Sequence, residues 1–151
     1  MMFSPQRIVV FNDAISRTAL LNELAQKLLD DGFVKPDFAA GVLEREAKYP
    51  TGIDMETHCV AIPHTEFCYV NSTGFAIGIN HAGVAFQRSD DPEKSVEPQI
   101  IVMMAIDQSC EKVIIIQSLL ALLADKKRVE ELCQKPPEEI AKIFTESIVT
   151  G

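Results

Sequence analysis

The alternation of apolar and polar positions divides the chain into strands and helices in its first half, strands in its middle and helices at its end. Residues 7–11 (RIVVF) are a short β-branched run and read as a strand. Asn12 and Asp13 stop that run and offer a cap. Over 14–29, Leu20, Leu21, Leu24, Leu28 and Leu29 recur at helical spacing, and Asp30-Asp31-Gly32 closes the helix. Pro36 opens a second helix over 37–47, with Phe38, Val42 and Leu43 inward and Arg45 and Glu46 in its last turn. Residues 49–52 (YPTG) read as a turn and 59–63 as a short strand, followed by a polar loop around Asn71 and Ser72.

Residues 74–80 (GFAIGIN) and 83–86 read as two strands of a hairpin, with His81 and Ala82 between them. The polar, acidic stretch 87–98 reads as a surface loop. Residues 99–106 (QIIVMMAI) are almost continuously apolar, the pattern of a central strand buried on both faces. Three helices follow, over 110–123 with Ser109 as cap, over 128–134, and from Pro136-Pro137 to Phe144 or Ile148. The order predicts an α/β fold, a mixed central β-sheet flanked by helices, as a single domain over 1–151. No repeat, low-complexity segment or linker divides it.

Composition narrows the classes. Apolar residues make up 47% and charged residues 24% of 151, the profile of a globular domain with a real core. A net charge of −8 disfavours a nucleic-acid binder, which needs a basic face. The N-terminus lacks the basic and apolar regions of a signal peptide. The longest uncharged run of the C-terminal third, 113–124, is well short of the ~20 residues that span a bilayer. These features predict a cytoplasmic, soluble protein. Cys59, Cys68, Cys110 and Cys133 are scattered without zinc-ligand spacing, so they read as reduced and mostly buried, with no metal or cofactor implied.

Candidate chemistry concentrates between Arg45 and His64. Pro63 has no N–H and marks a strand end or edge, so His64 leaves the sheet at its rim, where clefts form. Its neutral imidazole is a nucleophile near pH 7. If 58–64 is extended, His58 shares a face with His64 but stands about 20 Å away at ~3.3 Å per residue, which makes it a second-shell or structural histidine. His81 reads as exposed. Arg45 is either a solvated charge at a helix end or a planar clamp for phosphate oxygens. Thr51 and Gly52 offer a hydroxyl and close-approaching amides. No nucleotide-binding, serine-hydrolase or zinc-protease motif is present.

The wording R-E-x(3)-P-T-G-I followed by V-A-I-P-H resembles the enzyme IIA domains of the bacterial sugar phosphotransferase system, fructose–mannitol type. The longer run from Glu44 to Glu66 is most similar to the galactitol-specific branch, and the likeness extends through the late helices. The resemblance implies a phosphocarrier: His64 accepts a phosphoryl group from phospho-HPr and passes it to a cysteine of enzyme IIB, with the membrane component enzyme IIC an indirect partner. It assigns phosphate neutralisation to Arg45; Thr51 is a candidate support through its own hydroxyl. Many relatives carry a second histidine at the start of the helix after the central strand; the matching position here is Lys112. Two other readings stand beside this one: a phosphorylation-dependent regulatory binding protein of the same fold, and an unrelated small α/β enzyme with a His–Arg site.

Overall fold

In the computed structural model, residues 2–108 and 112–148 are described. The elements in chain order are β1 (Ile8–Phe11), α1 (Arg17–Asp30), α2 (Phe38–Lys48), β2 (Gly52–Asp54), β3 (Cys59–Ala61), β4 (Gly74–Asn80), β5 (Phe86–Gln87), β6 (Ser95–Val96), β7 (Ile100–Ala105), α3 (Lys112–Leu123), α4 (Lys126–Gln134) and α5 (Pro137–Ser147). Five strands form one mixed sheet in the order β1-β4-β7-β3-β2, and β5 and β6 pair as a separate ribbon. The expected α/β fold with helices flanking a mixed sheet is the one observed.

The sheet is a wall between two cores. Strands β4 and β7 are buried along their whole length, and their alternation sends successive side chains to opposite faces. Phe75, Ile77, Ile79, Ile100, Val102 and Met104 meet Ile115, Leu119, Leu132, Ile140 and Phe144 of the C-terminal helices. Ala76, Ile101, Met103 and Ala105 meet Leu20, Leu24 and Leu28 of α1 and Phe38 and Val42 of α2. The small residues are on the α1 side, and Leu24 packs directly over Gly78. At the other end of the sheet, buried Arg7 bonds Asp31 at 2.6 Å and the carbonyl of Phe75 at 3.0 Å. Those bonds tie the N-terminus to the end of α1.

Several local expectations are corrected. The 74–80/83–86 hairpin does not exist, because both edges of β4 are occupied, by β1 in parallel and by β7 antiparallel. The chain turns at Asn80, whose Oδ1 accepts from the Ala82 N–H at 2.9 Å, and then enters a long connection. The strand expected at 83–86 is reduced to β5, which pairs with β6 inside the segment expected to be loop. Gly52 opens a strand, β2, rather than ending a turn. Helix α1 starts one turn later than expected because Ser16, not Asn12 or Asp13, caps it, accepting from Ala19 N–H at 3.1 Å. Asp125 caps α4 in the same way through Lys127 and Arg128, so that helix starts two residues earlier than expected. The Ser109 cap and Cys110 are outside the described residues.

Gly52 is confined by its neighbours. A methyl group there would be 2.6 Å from the Gln87 carbonyl oxygen, which belongs to the backbone and cannot swing away. Its own carbonyl accepts from Ser89 N–H at 2.8 Å, which holds the ribbon against the edge of the sheet. Gly52→Ala is expected to lower stability by about 1–3 kcal/mol, the usual cost of overpacking, as measured by chemical denaturation. An unchanged midpoint would show that the ribbon yields.

Candidate functional site

The site is built where β3 and β7 run parallel and both end. Ala61 is opposite Ile101, and His64 bridges Met104, so the register of 40 residues continues past Pro63. Pro63 has no N–H to give, but its carbonyl accepts from Met104 N–H at 2.9 Å. The chain is therefore pinned to β7 one residue before His64. The carboxyl ends of parallel strands are the usual location of clefts in α/β sheets, and His64 lies at such an end.

His64 is half-buried. Its Nδ1 is 2.9 Å from the carbonyl oxygen of Ile62. A carbonyl only accepts, so Nδ1 carries the proton, and the lone pair of the neutral ring is on Nε2. Burial holds the imidazole below its ordinary pKa of 6.5; the Ile62 carbonyl pulls the other way, and the charges of Arg45 and Lys112 lower it further. The ring is neutral at pH 7.

Two cavities meet at His64. One, of about 450 Å³, is lined by His64, Arg45, Thr65, Phe67, Met104, Ile106, Asp107, Gln108 and Lys112 among others. The second, of about 380 Å³, shares His64 and Arg45 and continues along Tyr49, Pro50, Thr51 and Ile62. Arg45 is in the last turn of α2, with its guanidinium 5.2 Å from the Tyr49 ring centroid. Its buried Nε has no hydrogen-bond partner among the described residues. A buried guanidinium N–H without an acceptor is a standing demand for an anion. Lys112, exposed at the first residue described in α3, completes a pair of cations beside the imidazole.

The residues singled out in the sequence are distributed unequally. His64, Arg45 and Lys112 come together. Thr51 borders the second cavity, but it is buried, and its hydroxyl and N–H both donate to Glu46, at 2.6 and 2.8 Å. It therefore holds the turn and has no proton to offer an anion. Gly52 approaches its own chain at Gln87, not a ligand. His58 is away from the site: its Nε2 contacts the Leu123 carbonyl at 2.6 Å, its Nδ1 contacts Thr57, and it borders a different cavity with Cys59 and Cys133. It fastens the end of α3 to the sheet and is no second shell for His64. His81 is exposed, as expected. Of the described cysteines only Cys133 is buried; Cys59 is half-buried and Cys68 exposed, which corrects the expectation of mostly buried thiols. All three are free thiols.

Sequence reasoning missed the apolar rim. Tyr49, Phe67 and Val113 are 63%, 52% and 67% exposed, and they surround the His64 cavities or adjoin Lys112. Large apolar side chains standing in otherwise polar segments (Tyr49 after Lys48, Phe67 after Glu66) were the available signal. Among the described residues no cluster of His, Cys, Asp and Glu could hold a metal ion, and no helix is long and apolar enough to cross a membrane.

Comparison with known proteins converges on one group. Residues 1–147 match the family model described as phosphoenolpyruvate-dependent sugar phosphotransferase system, EIIA 2. The galactitol-specific EIIA component of Escherichia coli (strain K12) is 25% identical over 135 residues, 89% of each chain. Among solved structures, a complex of enzyme IIA(Mtl) and phosphorylated enzyme IIB(Mtl) from Escherichia coli superposes with a TM-score of 0.78 at 20% identity, covering 95% of this chain and 97% of the other. The nitrogen regulatory protein IIA-Ntr from Neisseria meningitidis gives a TM-score of 0.70 at 19% identity, over 95% and 96%.

The site electrostatics yield a direct check. Removing the charge at Lys112 takes away one of the causes that lower the His64 pKa, so Lys112→Met should raise it toward 6.5. Titration of the imidazole resonances by NMR reads the change; a pKa that falls or stays fixed would separate Lys112 from the site.

Proposed function

The chain belongs to the EIIA 2 family of the phosphoenolpyruvate-dependent sugar phosphotransferase system, and within it we propose that His64 is the phosphoryl acceptor of a phosphocarrier. One observation carries this reading: an imidazole whose Nδ1 proton is bound to Ile62, whose Nε2 has no partner among the described residues, and whose cavities also hold Arg45 and Lys112. The Nε2 lone pair attacks the phosphorus of a phosphohistidine on HPr. The donor P–N bond breaks as the new one forms, and the donor ring leaves with its electron pair. The step is then repeated outward, with the cysteine thiolate of enzyme IIB as acceptor and the His64 ring as leaving group.

The chemistry asks little of the protein beyond alignment and charge. A phosphoryl group adds roughly −1.5 to −2 charge at pH 7 by analogy with other phosphorylated side chains. Arg45 and Lys112 offset about that much. Arg45 presents an unbonded N–H to equatorial oxygens, and Lys112 acts as a mobile point charge in the position where many relatives have a histidine. The exposed Tyr49, Phe67 and Val113 supply an apolar centre for transient docking. The acidic total steers a partner with basic residues around its own active residue. On this reading the protein is cytoplasmic and serves uptake of galactitol or a related polyol or sugar, with enzyme IIC as the indirect membrane partner.

The replacement of the second histidine by Lys112 favours one alternative, a regulatory protein that binds partners according to its phosphorylation. Transfer of label onward to an enzyme IIB cysteine supports the carrier, and tight binding of a kinase or transcription factor without such transfer supports regulation.

The carrier reading predicts label from phosphoenolpyruvate only when enzyme I and HPr are both present. His64→Ala should abolish that labelling with the fold intact, and Arg45→Ala should slow it by roughly 10²–10³-fold, the cost of removing one preorganised charge-stabilising donor. Because the neutral ring is the nucleophile and its pKa is lowered, the rate should hold as pH falls through 6.5 and decline only on further acidification. A half-maximal rate above pH 6.5 contradicts the assignment of a neutral, buried His64.

A further inference from the structure

Glu46 is 3% exposed, an uncommon situation for a carboxylate, and its side chain takes no part in the chemistry described above. Its two oxygens meet two donors of one residue: Oε1 accepts from the Thr51 hydroxyl at 2.6 Å and Oε2 from the Thr51 N–H at 2.8 Å. The Thr51 carbonyl in turn accepts from Ile62 N–H at 3.3 Å. The Ile62 carbonyl accepts from His64 Nδ1. A continuous chain of hydrogen bonds thus runs from a buried carboxylate, across the β2–β3 edge, to the candidate nucleophile. It starts one residue from Arg45, in the same last turn of α2.

We propose that Glu46 is a positioning residue for His64: by clamping Thr51 it sets the height of the Ile62 carbonyl, and that carbonyl holds the imidazole as the Nδ1–H tautomer with its lone pair on Nε2. The inference rests on His64 as the phosphoryl acceptor. Three features favour positioning over simple cohesion. Burial disfavours the charged carboxylate and raises the Glu46 pKa, so a carboxylate is a costly way to hold a turn for cohesion alone. The carboxylate is matched to the geometry of Thr51, with both donors satisfied at once. The clamped residue borders the cavity shared by His64 and Arg45, so a shift of the turn moves both ends of the site. Histidine rings that ligate metals are held by a partner on the second nitrogen in the same way, and removing that partner lowers function by 10–100-fold.

The test reads the tautomer of His64 in the unphosphorylated protein by two-bond ¹⁵N–¹H NMR at a pH where the ring is neutral. Wild type should show the Nδ1–H form alone. Glu46→Met removes both acceptors while keeping the volume close. It should yield a mixture of tautomers, because a free histidine ring prefers Nε2–H, and it should slow labelling by phospho-HPr roughly 10- to 100-fold. Glu46→Gln should retain the single tautomer. Its amide oxygen accepts from the Thr51 N–H, and its NH₂ donates to the Thr51 hydroxyl oxygen, so the clamp survives without the charge.

A single Nδ1–H tautomer in Glu46→Met overturns the proposal, as does a mixture in Glu46→Gln. Should Glu46→Met not fold, Thr51→Val deletes one of the two bonds from the other side. It should broaden the tautomer population, and an unchanged population counts against the proposal in the same way. The readout needs no phosphate. Labelling that survives His64→Ala would remove the carrier reading and leave the tautomer result standing on its own.

Discussion

The site depends on how the segment Pro63–His64 is held against β7. A proline inside a strand removes a ladder donor, and the chain would be free to leave the sheet there. It does not leave at once, because the acceptor of Pro63 is still engaged by Met104 N–H, and the parallel register set at Ala61 and Ile101 carries through to His64. The histidine is thereby placed at the carboxyl end of the strand pair, half in the protein and half in the cleft. Loss of that one pairing would release the ring, its carbonyl partner two residues back, and the wall of both cavities.

Burial and charge then act on the same imidazole in the same direction. Partial removal from water disfavours the protonated ring, and two nearby cations disfavour it again. The arrangement keeps the ring nucleophilic at neutral pH and sets two cations beside it, in a cavity that Glu66 and Asp107 also line. On the proposed reading, one set of charges serves before and after phosphorylation. On that reading, the Arg45 Nε, without a hydrogen-bond partner among the described residues, is the structural cost of a site kept open for an anion.

The two cores give the site its rigidity. Phe75, Ile77 and Ile79 pack toward the C-terminal helices, while Ala76 and Gly78 admit α1 on the opposite face. Strand β7 is sealed by both layers, so the strand to which His64 is pinned is, like β4, buried along its whole length. The cations are less enclosed: Lys112 is exposed, and Arg45 is half-buried with its guanidinium over the Tyr49 ring.

Much of this was legible in the residues alone. Helices α1, α2 and α5 declare themselves by leucine, valine and phenylalanine at helical spacing, and β7 by an unbroken apolar run that only a doubly covered strand can bury. The proline before His64 marked the rim of the sheet because a missing N–H is a local property of the chain. Family resemblance, carried by contiguous wording from Arg45 to His64, pointed to the same histidine. What the sequence could not decide is whatever depends on a distant partner. Strands of two or three residues such as β2, β5 and β6 have no period to read, and the ribbon lies against β2 where Gly52 admits the Gln87 backbone. The expected hairpin failed because β1 and β7, far away in sequence, already occupied both edges of β4. His58 was placed on the face of the candidate nucleophile by its spacing and Glu46 only at a helix end, until tertiary packing gave one the end of α3 and the other the turn behind the cleft. Local chemistry determined which side chain could react, and the long-range register of the sheet decided what surrounds it, because hydrogen-bond partners at a strand end are supplied by chain segments that no local pattern encodes.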